Sequence, residues 1–165
     1  MATLIHLSDF TEQVLDVIVS EWVEFARAQQ PAAQRLANEE LADHARVLLL
    51  AVAADVRSYQ NAQDAHDKSR GDAQGAPPDV TLVGRDHAEL RFAQGFSLDH
   101  LVSEFRALRA SVIRRWTQEV GHADRGTLGE LTRFGEALDE ALTASVSLYS
   151  AKVDEARNLL MITEN

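Results

Sequence analysis

The stretch that decides the fold spans residues 87–116 and reads HAELRFAQGFSLDHLVSEFRALRASVIRRW. In its second half, large apolar residues recur in steps of three and four from Leu98 to Trp116, which is the spacing of one face of an α-helix. Between its halves, Gly95 is suited to end one helix, and Ser97 is suited to cap the next with Phe96 in a hydrophobic staple. The stretch therefore predicts two helices joined by a tight corner.

The same helical spacing covers most of the 165 residues. It predicts an all-α fold, a helical bundle of four to five helices, with a globin-like helical fold as the alternative. We expect the first helix to begin near Ser8 or Asp9, where Asp9 and Glu12 form a capping box. The second helix is expected to begin at Asn38 as its N-cap, and the third to span residues 82–94.

The last helix is predicted to begin at Thr127, which forms a capping box with Glu130, and to run to the end of the chain. Its second half changes to alternating steps of three and four, the pattern of a coiled-coil seam. The seam consists of Val146, Tyr149, Val153, Ala156 and Leu160. We therefore expect residues 146–165 to begin a signalling coiled coil, through which two copies dimerise at the front of a longer protein.

Residues 64–80 interrupt the helical pattern with two glycines, two prolines and few apolar residues. Neither flank carries enough apolar residues for a core of its own. We therefore expect a mobile surface loop inside one domain that spans residues 1–165.

The composition excludes several classes of function. Acidic residues outnumber basic ones 26 to 16, and the formal charge of −10 argues against binding to nucleic acid. The absence of cysteine excludes disulfides and thiolate metal sites. No apolar run approaches the ~20 residues that cross a bilayer, and the N-terminus lacks the pattern of a signal peptide. A cytoplasmic protein without membrane contact is the expectation.

The catalytic motifs that are recognisable in a sequence are missing. The chain has no glycine-rich phosphate loop, no G-x-S-x-G elbow and no H-E-x-x-H pair. His100 and Glu104 have the spacing of a di-iron ligand pair, but no H-x-x-x-H pair accompanies them, so a local surface pair is favoured. His44 or His87 could ligate haem, although a hydrogen-bonded histidine at a helix boundary is favoured. We expect no catalytic residue, no metal and no cofactor, with haem as the alternative.

Charged residues also line the helix that ends at Trp116. Glu104, Arg106 and Arg109 form either a buried polar cluster or a solvated, salt-bridged face, and the solvated face is favoured. Trp22 and Trp116 lie on apolar stripes, so we interpret both as core residues first and as ligand-pocket walls second.

The stretch 87–116 resembles the N-terminal domain shared by stressosome-type co-antagonist proteins (the RsbRD N-terminal domain) and by a group of soluble bacterial histidine kinases. In those kinases a helix ends in Gly-Phe-Ser-Leu, followed by Leu-Val-x-Glu-aromatic-Arg-Ala-Leu-Arg and then a tryptophan. The corresponding residues here are 95–98, 101–109 and Trp116. The Asp43-His44 pair and the long last helix also fit, so the resemblance extends loosely over most of the chain.

The resemblance implies a non-catalytic, all-helical sensor domain placed ahead of a transmitter. The sequence contains no phosphoacceptor box, no ATP-binding Asn box and no glycine-rich lid, so the chain alone is not expected to autophosphorylate. Its expected partners are a second copy, through the last helix, and a downstream kinase core or response regulator. The candidate ligand-binding or signalling residues are His87, Arg91, Glu104, Arg106, Arg109 and Trp116.

Two other functions remain open from the sequence. A stressosome-like scaffold would act on a partner protein instead of a kinase core. A haem-binding sensor of gas or redox state would use one of the histidines.

Overall fold

A computed structural model describes residues 6–29, 37–68, 80–121 and 124–164. Within these ranges the chain forms six α-helices and no strand, which confirms the predicted all-α bundle. The helices are α1 (Leu7–Gln13), α2 (Leu15–Gln29), α3 (Asn38–Lys68), α4 (Val80–Ala93), α5 (Leu98–Val120) and α6 (Arg125–Glu164).

The first predicted helix is divided in two at Val14, whose φ of −104° and ψ of 14° leave the helical region. No proline or glycine marks this break, and Thr11 Oγ1 donates to the Leu7 carbonyl at 2.8 Å, a local bond that bends helices. The predicted capping box of Asp9 and Glu12 is wrong. Both carboxylates instead accept hydrogen bonds from Arg57 of α3, at 2.9 Å and 2.8 Å.

The limits of α3 and α4 differ from those expected around the loop 64–80. The helix α3 continues to Lys68, and α4 begins at Val80, so both ends of the expected loop are helical. The rest of that segment lies outside the described residues, as does the predicted mobility of the loop. Asn38 is the first residue of α3, because the Leu41 amide bonds to the carbonyl of Ala37 before it.

The corner between α4 and α5 has the predicted geometry. Gly95 has a φ of +84°, which is the left-handed conformation that ends helices. Its amide bonds to the Phe92 carbonyl at 3.1 Å, and the Phe96 amide bonds to the Arg91 carbonyl at 3.0 Å, the two bonds of a Schellman motif. Ser97 then caps α5, because its Oγ accepts a hydrogen bond from the His100 amide at 3.3 Å.

The start of α6 corrects the predicted cap at Thr127. The Asp124 carboxylate is the cap, since it accepts from the Thr127 amide at 2.7 Å and from the Thr127 hydroxyl at 2.9 Å. These bonds lower the pKa of Asp124 below its usual value, and the bond from the backbone amide has the larger effect. The helix therefore begins at Arg125.

One hydrophobic core connects the six described helices, and α4 packs most extensively against α6. The two helices touch backbone to backbone at Gly84, where an added Cβ would lie 2.3 Å from the Ala141 carbonyl oxygen. Ser145, which is fully buried, donates to the Gly84 carbonyl at 2.6 Å. Small residues at 84, 141 and 145 thus set the distance between α4 and α6.

None of the helices, within the residues that the structure describes, combines the length and apolar character required to traverse a lipid bilayer.

Adding one methyl group at Gly84 tests this close approach. Gly84→Ala should destabilise the protein by about 2 kcal/mol, because α4 must move away from the Ala141 backbone. Gly135→Ala on α6 is the matched control, since its added Cβ meets no atom within 4 Å. The control should raise stability by up to about 1 kcal/mol through helix propensity. Urea unfolding measures both, and equal effects of the two variants would contradict the proposed spacing role of Gly84.

Candidate functional site

A buried ion pair joins α4 to α5. The Glu104 carboxylate accepts through Oε2 from Arg91 Nε at 3.1 Å and from His87 Nε2 at 2.7 Å, and Arg91 Nε also lies 2.9 Å from Oε1. Arg91 is 0% exposed and Glu104 is 2% exposed, so the pair is sealed from water. His87 and Arg91 lie four residues apart on α4, which places them on one helical face toward Glu104. We call these three residues the buried cluster.

Aromatic rings surround the buried cluster. The Arg91 guanidinium carbon lies 4.5 Å from the centre of the Phe96 ring and 5.3 Å from that of Trp22. Both contacts have the cation–π geometry that stabilises a desolvated arginine. Phe105 meets the His87 ring edge to face, with the ring centres 5.8 Å apart.

His44 of α3 completes the wall of the buried cluster. Its ring lies 5.5 Å from that of His87, in an edge-to-face arrangement. The pKa of His44 is lowered to about 4, chiefly by burial. The positive charge of Arg91 also lowers it, and this effect is larger than the opposing effect of the Glu104 carboxylate. His44 is therefore neutral near pH 7.

Not every polar atom in and around the buried cluster has a hydrogen-bond partner within the described residues. Arg91 also donates from Nη1 to the Gln94 side chain at 2.8 Å. Several buried nitrogens of the region nevertheless have no hydrogen-bond partner within the described residues. They are Arg91 Nη2, His87 Nδ1, His44 Nδ1 and Trp22 Nε1. A region with buried, unsatisfied donors is costly to maintain, which favours a role other than stability.

The structure corrects the expectation that Glu104 lies on a solvated face. Glu104 turns inward to α4, and His100 pairs with Ser97 at 2.5 Å instead of with Glu104. Arg106 is exposed, as expected of a solvated face, and Arg109 forms a surface ion pair with Asp139 of α6. Trp116 is a buried core residue. Of the six candidate signalling residues, the structure therefore brings together only His87, Arg91 and Glu104.

The predicted seam residues lie along α6 with decreasing burial. Val146, Tyr149 and Val153 are half-buried, whereas Ala156 and Leu160 are exposed. Tyr149 already has contacts within its own chain, since its hydroxyl donates to the Phe96 carbonyl at 2.8 Å and its ring meets that of Phe92. Among the seam residues, Tyr149 thus contacts the α4–α5 corner.

The sequence reasoning did not identify Trp22 as the partner of a buried arginine. Its position on the apolar stripe of α2 gives no signal for a contact with α4, because that contact depends on how the two helices cross. The four-residue spacing of His87 and Arg91 was a usable signal that both share a face. Their common partner, Glu104, could not be predicted from the spacing of residues in the sequence.

Within the described residues, no group of three or more histidine, aspartate or glutamate side chains is placed to hold a metal ion. The buried cluster offers one carboxylate and one imidazole, with a guanidinium between the helices. Ligation of haem iron by His87 Nε2 would require breaking its hydrogen bond to Glu104.

A family model described as the RsbT co-antagonist protein rsbRD N-terminal domain matches residues 16–158. The chain therefore belongs to the rsbRD N-terminal domain family, and the resemblance inferred from residues 87–116 is confirmed. This membership identifies a stressosome-type signalling or sensor domain. Neither the curated proteins nor the solved structures give a significant match.

Removing the negative charge of the buried cluster tests its role in the fold. Glu104→Gln should destabilise the protein by about 3 kcal/mol, because Arg91 is left as a buried charge without its counter-ion. Asp139→Asn removes the counter-ion of the exposed Arg109 and should cost less than about 1 kcal/mol. Equal losses for the two variants in urea unfolding would show that the burial of Arg91 and Glu104 carries no special weight.

The lowered pKa of His44 predicts a loss of stability in acid. Below about pH 6.5 the unfolded state takes up a proton at His44, whereas the folded state resists protonation down to about pH 4. Stability from this group is therefore present above pH 6.5 and is lost as the pH falls toward 4. The groups that act on His44 are Arg91, His87, Glu104 and Asp43.

His44→Gln removes this titration and leaves the other groups in place. The stability of the wild-type chain relative to the variant should decline between pH 6.5 and pH 4 and stay constant above that range. Urea unfolding at a series of pH values gives the difference, in which titrations common to both proteins cancel. Parallel pH profiles would mean that His44 is accessible to protons in the folded state.

Proposed function

We propose that the chain is the cytoplasmic, non-catalytic input domain of a bacterial histidine kinase, which dimerises and signals through α6. The family membership supports a signalling role. The observation that carries the proposal is the division of α6 into a part that packs in the bundle and a part that extends past it. The proposal includes no metal and no cofactor.

The first half of α6 is a bundle helix. Phe134, Leu138 and Ala141 are each at most 1% exposed, and this half packs against α4. Beyond Val153, every described side chain of α6 is exposed. The last apolar residues, at 60–71% exposure, are Leu159, Leu160, Met161 and Ile162. An exposed apolar run on an otherwise polar helix end favours a partner helix there.

A continuous series of contacts leads from the buried cluster to this helix. The Arg91 guanidinium stacks on the Phe96 ring, and the Phe96 carbonyl accepts from the Tyr149 hydroxyl at 2.8 Å. Any change at Glu104 that moves Arg91 acts on the corner to which Tyr149 is bonded. We propose that this route couples the input to the orientation of α6.

A stressosome-like scaffold is the second candidate, and the family description favours it because the family is named after co-antagonist proteins. In that case the output is the binding of a partner protein and not phosphorylation. Autophosphorylation of the intact protein with ATP distinguishes the two candidates, since only the kinase acquires phosphate on histidine.

An insertion series tests signalling through α6. Each residue inserted after Leu160 turns everything that follows by about 100°, and seven residues restore the phase. In the intact protein, insertions of one to three residues should change autophosphorylation sharply, whereas an insertion of seven should largely preserve it. Output that does not depend on the insertion length would contradict the proposal.

The dimer contact has its own control pair. Val153→Glu places a charge on the proposed seam and should convert the dimer to monomer in sedimentation experiments. Asn158→Glu introduces the same charge on the opposite side of the exposed helix end and should leave the dimer intact. A dimer unaffected by Val153→Glu would place dimerisation outside α6, even if the insertion series still changed output.

A further inference from the structure

The outer face of α2 and α5 carries two neighbouring grooves of opposite charge. Arg106, Arg109 and Arg114 of α5 line a groove of about 760 Å³. Its apolar surface comes from side chains that include Phe25 and Ile113. On α2, Asp16, Glu21 and Glu24 line a second groove of about 350 Å³ around Val17, which is 47% exposed. We call these the basic groove and the acidic groove.

An ion pair forms the border between the two grooves. Glu21 accepts from Arg114 Nη2 at 3.2 Å, from Ser111 Oγ at 2.6 Å and from Arg115. The hydrogen bond from Arg115, with that from Ser111, lowers the pKa of Glu21 below its usual value, so the carboxylate stays ionised. Since α2 packs beside α5, the grooves lie next to each other on one face.

The charged side chains farther from this border form fewer ion pairs. Arg106 and Glu24 are exposed, and neither forms an ion pair within the described part of the chain. Asp16 forms an ion pair with Arg46 at 3.3 Å, and its side chain is 88% exposed. A chain with a net charge of −10 nevertheless places four arginines within residues 106–115. Arg114 and Arg115 pair with Glu21, and Arg109 pairs with Asp139 of α6. Arg106 is the arginine of this stretch that forms no ion pair within the described part of the chain.

We propose that this face binds a second copy of the chain, with the acidic groove of each copy on the basic groove of the other. A two-fold interface requires a patch that is complementary to itself, and adjoining acidic and basic halves meet that requirement. Rotation about the Glu21 border brings both pairs of halves together at once. The exposed Val17 then gains the apolar surface that Phe25 and Ile113 offer.

The size of the face predicts weak binding. Each groove runs for about 15 Å along its helix, and each helix is about 10 Å wide. The two grooves together therefore cover about 300 Å². This is well below the ~800 Å² per partner of a standard interface. We therefore expect an association that depends on charge, weakens with salt and operates at high local concentration. It is separate from the seam of α6.

Sedimentation equilibrium of the chain tests this contact, with Val153→Glu present to remove the seam. Arg106→Glu with Arg109→Glu should raise the dissociation constant by at least about tenfold, since like charges then face each other. Asp16→Arg with Glu24→Arg should do the same. All four substitutions together exchange the charges of the two halves and should restore binding to within about threefold of the starting protein.

Two charge reversals away from the face serve as controls. Glu119→Arg and Arg157→Glu change exposed residues outside both grooves and should leave the dissociation constant unchanged. Circular dichroism verifies that every variant keeps its helix content.

Three results would overturn the proposal. The first is a chain that remains monomeric at about 1 mM, where even millimolar affinity becomes visible. The second is a fourfold variant that binds no better than the two double variants. The third is a monomeric chain that binds polyglutamate through Arg106, since the basic groove would then serve a different acidic partner. None of these results affects the seam of α6, which Val153→Glu tests separately.

Discussion

The carboxylate of Glu104 is the constraint that ties α4 to α5, through its contacts with Arg91 and His87. Burying an ion costs roughly several kcal/mol per charge, even after the protein has relaxed around it. Close contact with a counter-ion and hydrogen bonds can compensate for this cost. Arg91 and His87 supply that compensation from one face of α4. The Schellman corner follows Arg91 directly in the chain, and its bond from the Phe96 amide ends on the Arg91 carbonyl. The charge pair and the corner therefore form one unit.

This unit connects three parts of the bundle. Trp22 of α2 and Phe96 of the corner contact the Arg91 guanidinium, and His44 of α3 lies against His87. On its outer side the corner holds α6 through Tyr149. An input that alters the balance of charge or hydrogen bonds in the buried cluster thus acts on helices that also carry the proposed output.

Two surfaces of the same domain are proposed for two kinds of self-association. The end of α6 presents apolar residues in a helical pattern, which favours a tight coiled coil. The face of α2 and α5 presents adjoining charges of both signs over a small area, which favours weak and salt-dependent contact. Because they lie on different helices, each can be removed by substitution without the other.

Features that depend on neighbours along the chain are predictable from the sequence. The all-α class and the corner at 95–97 follow from local periodicity, a left-handed glycine and a capping serine. The burial of Glu104 with Arg91 and the bond of Asp9 to Arg57, which replaces its expected capping role, were not predictable in this way. An amphipathic pattern indicates which face of its helix a residue occupies. The ionic partner of that residue depends instead on how separate helices cross. That crossing is set by long-range contacts such as Gly84 against Ala141, which no local pattern records.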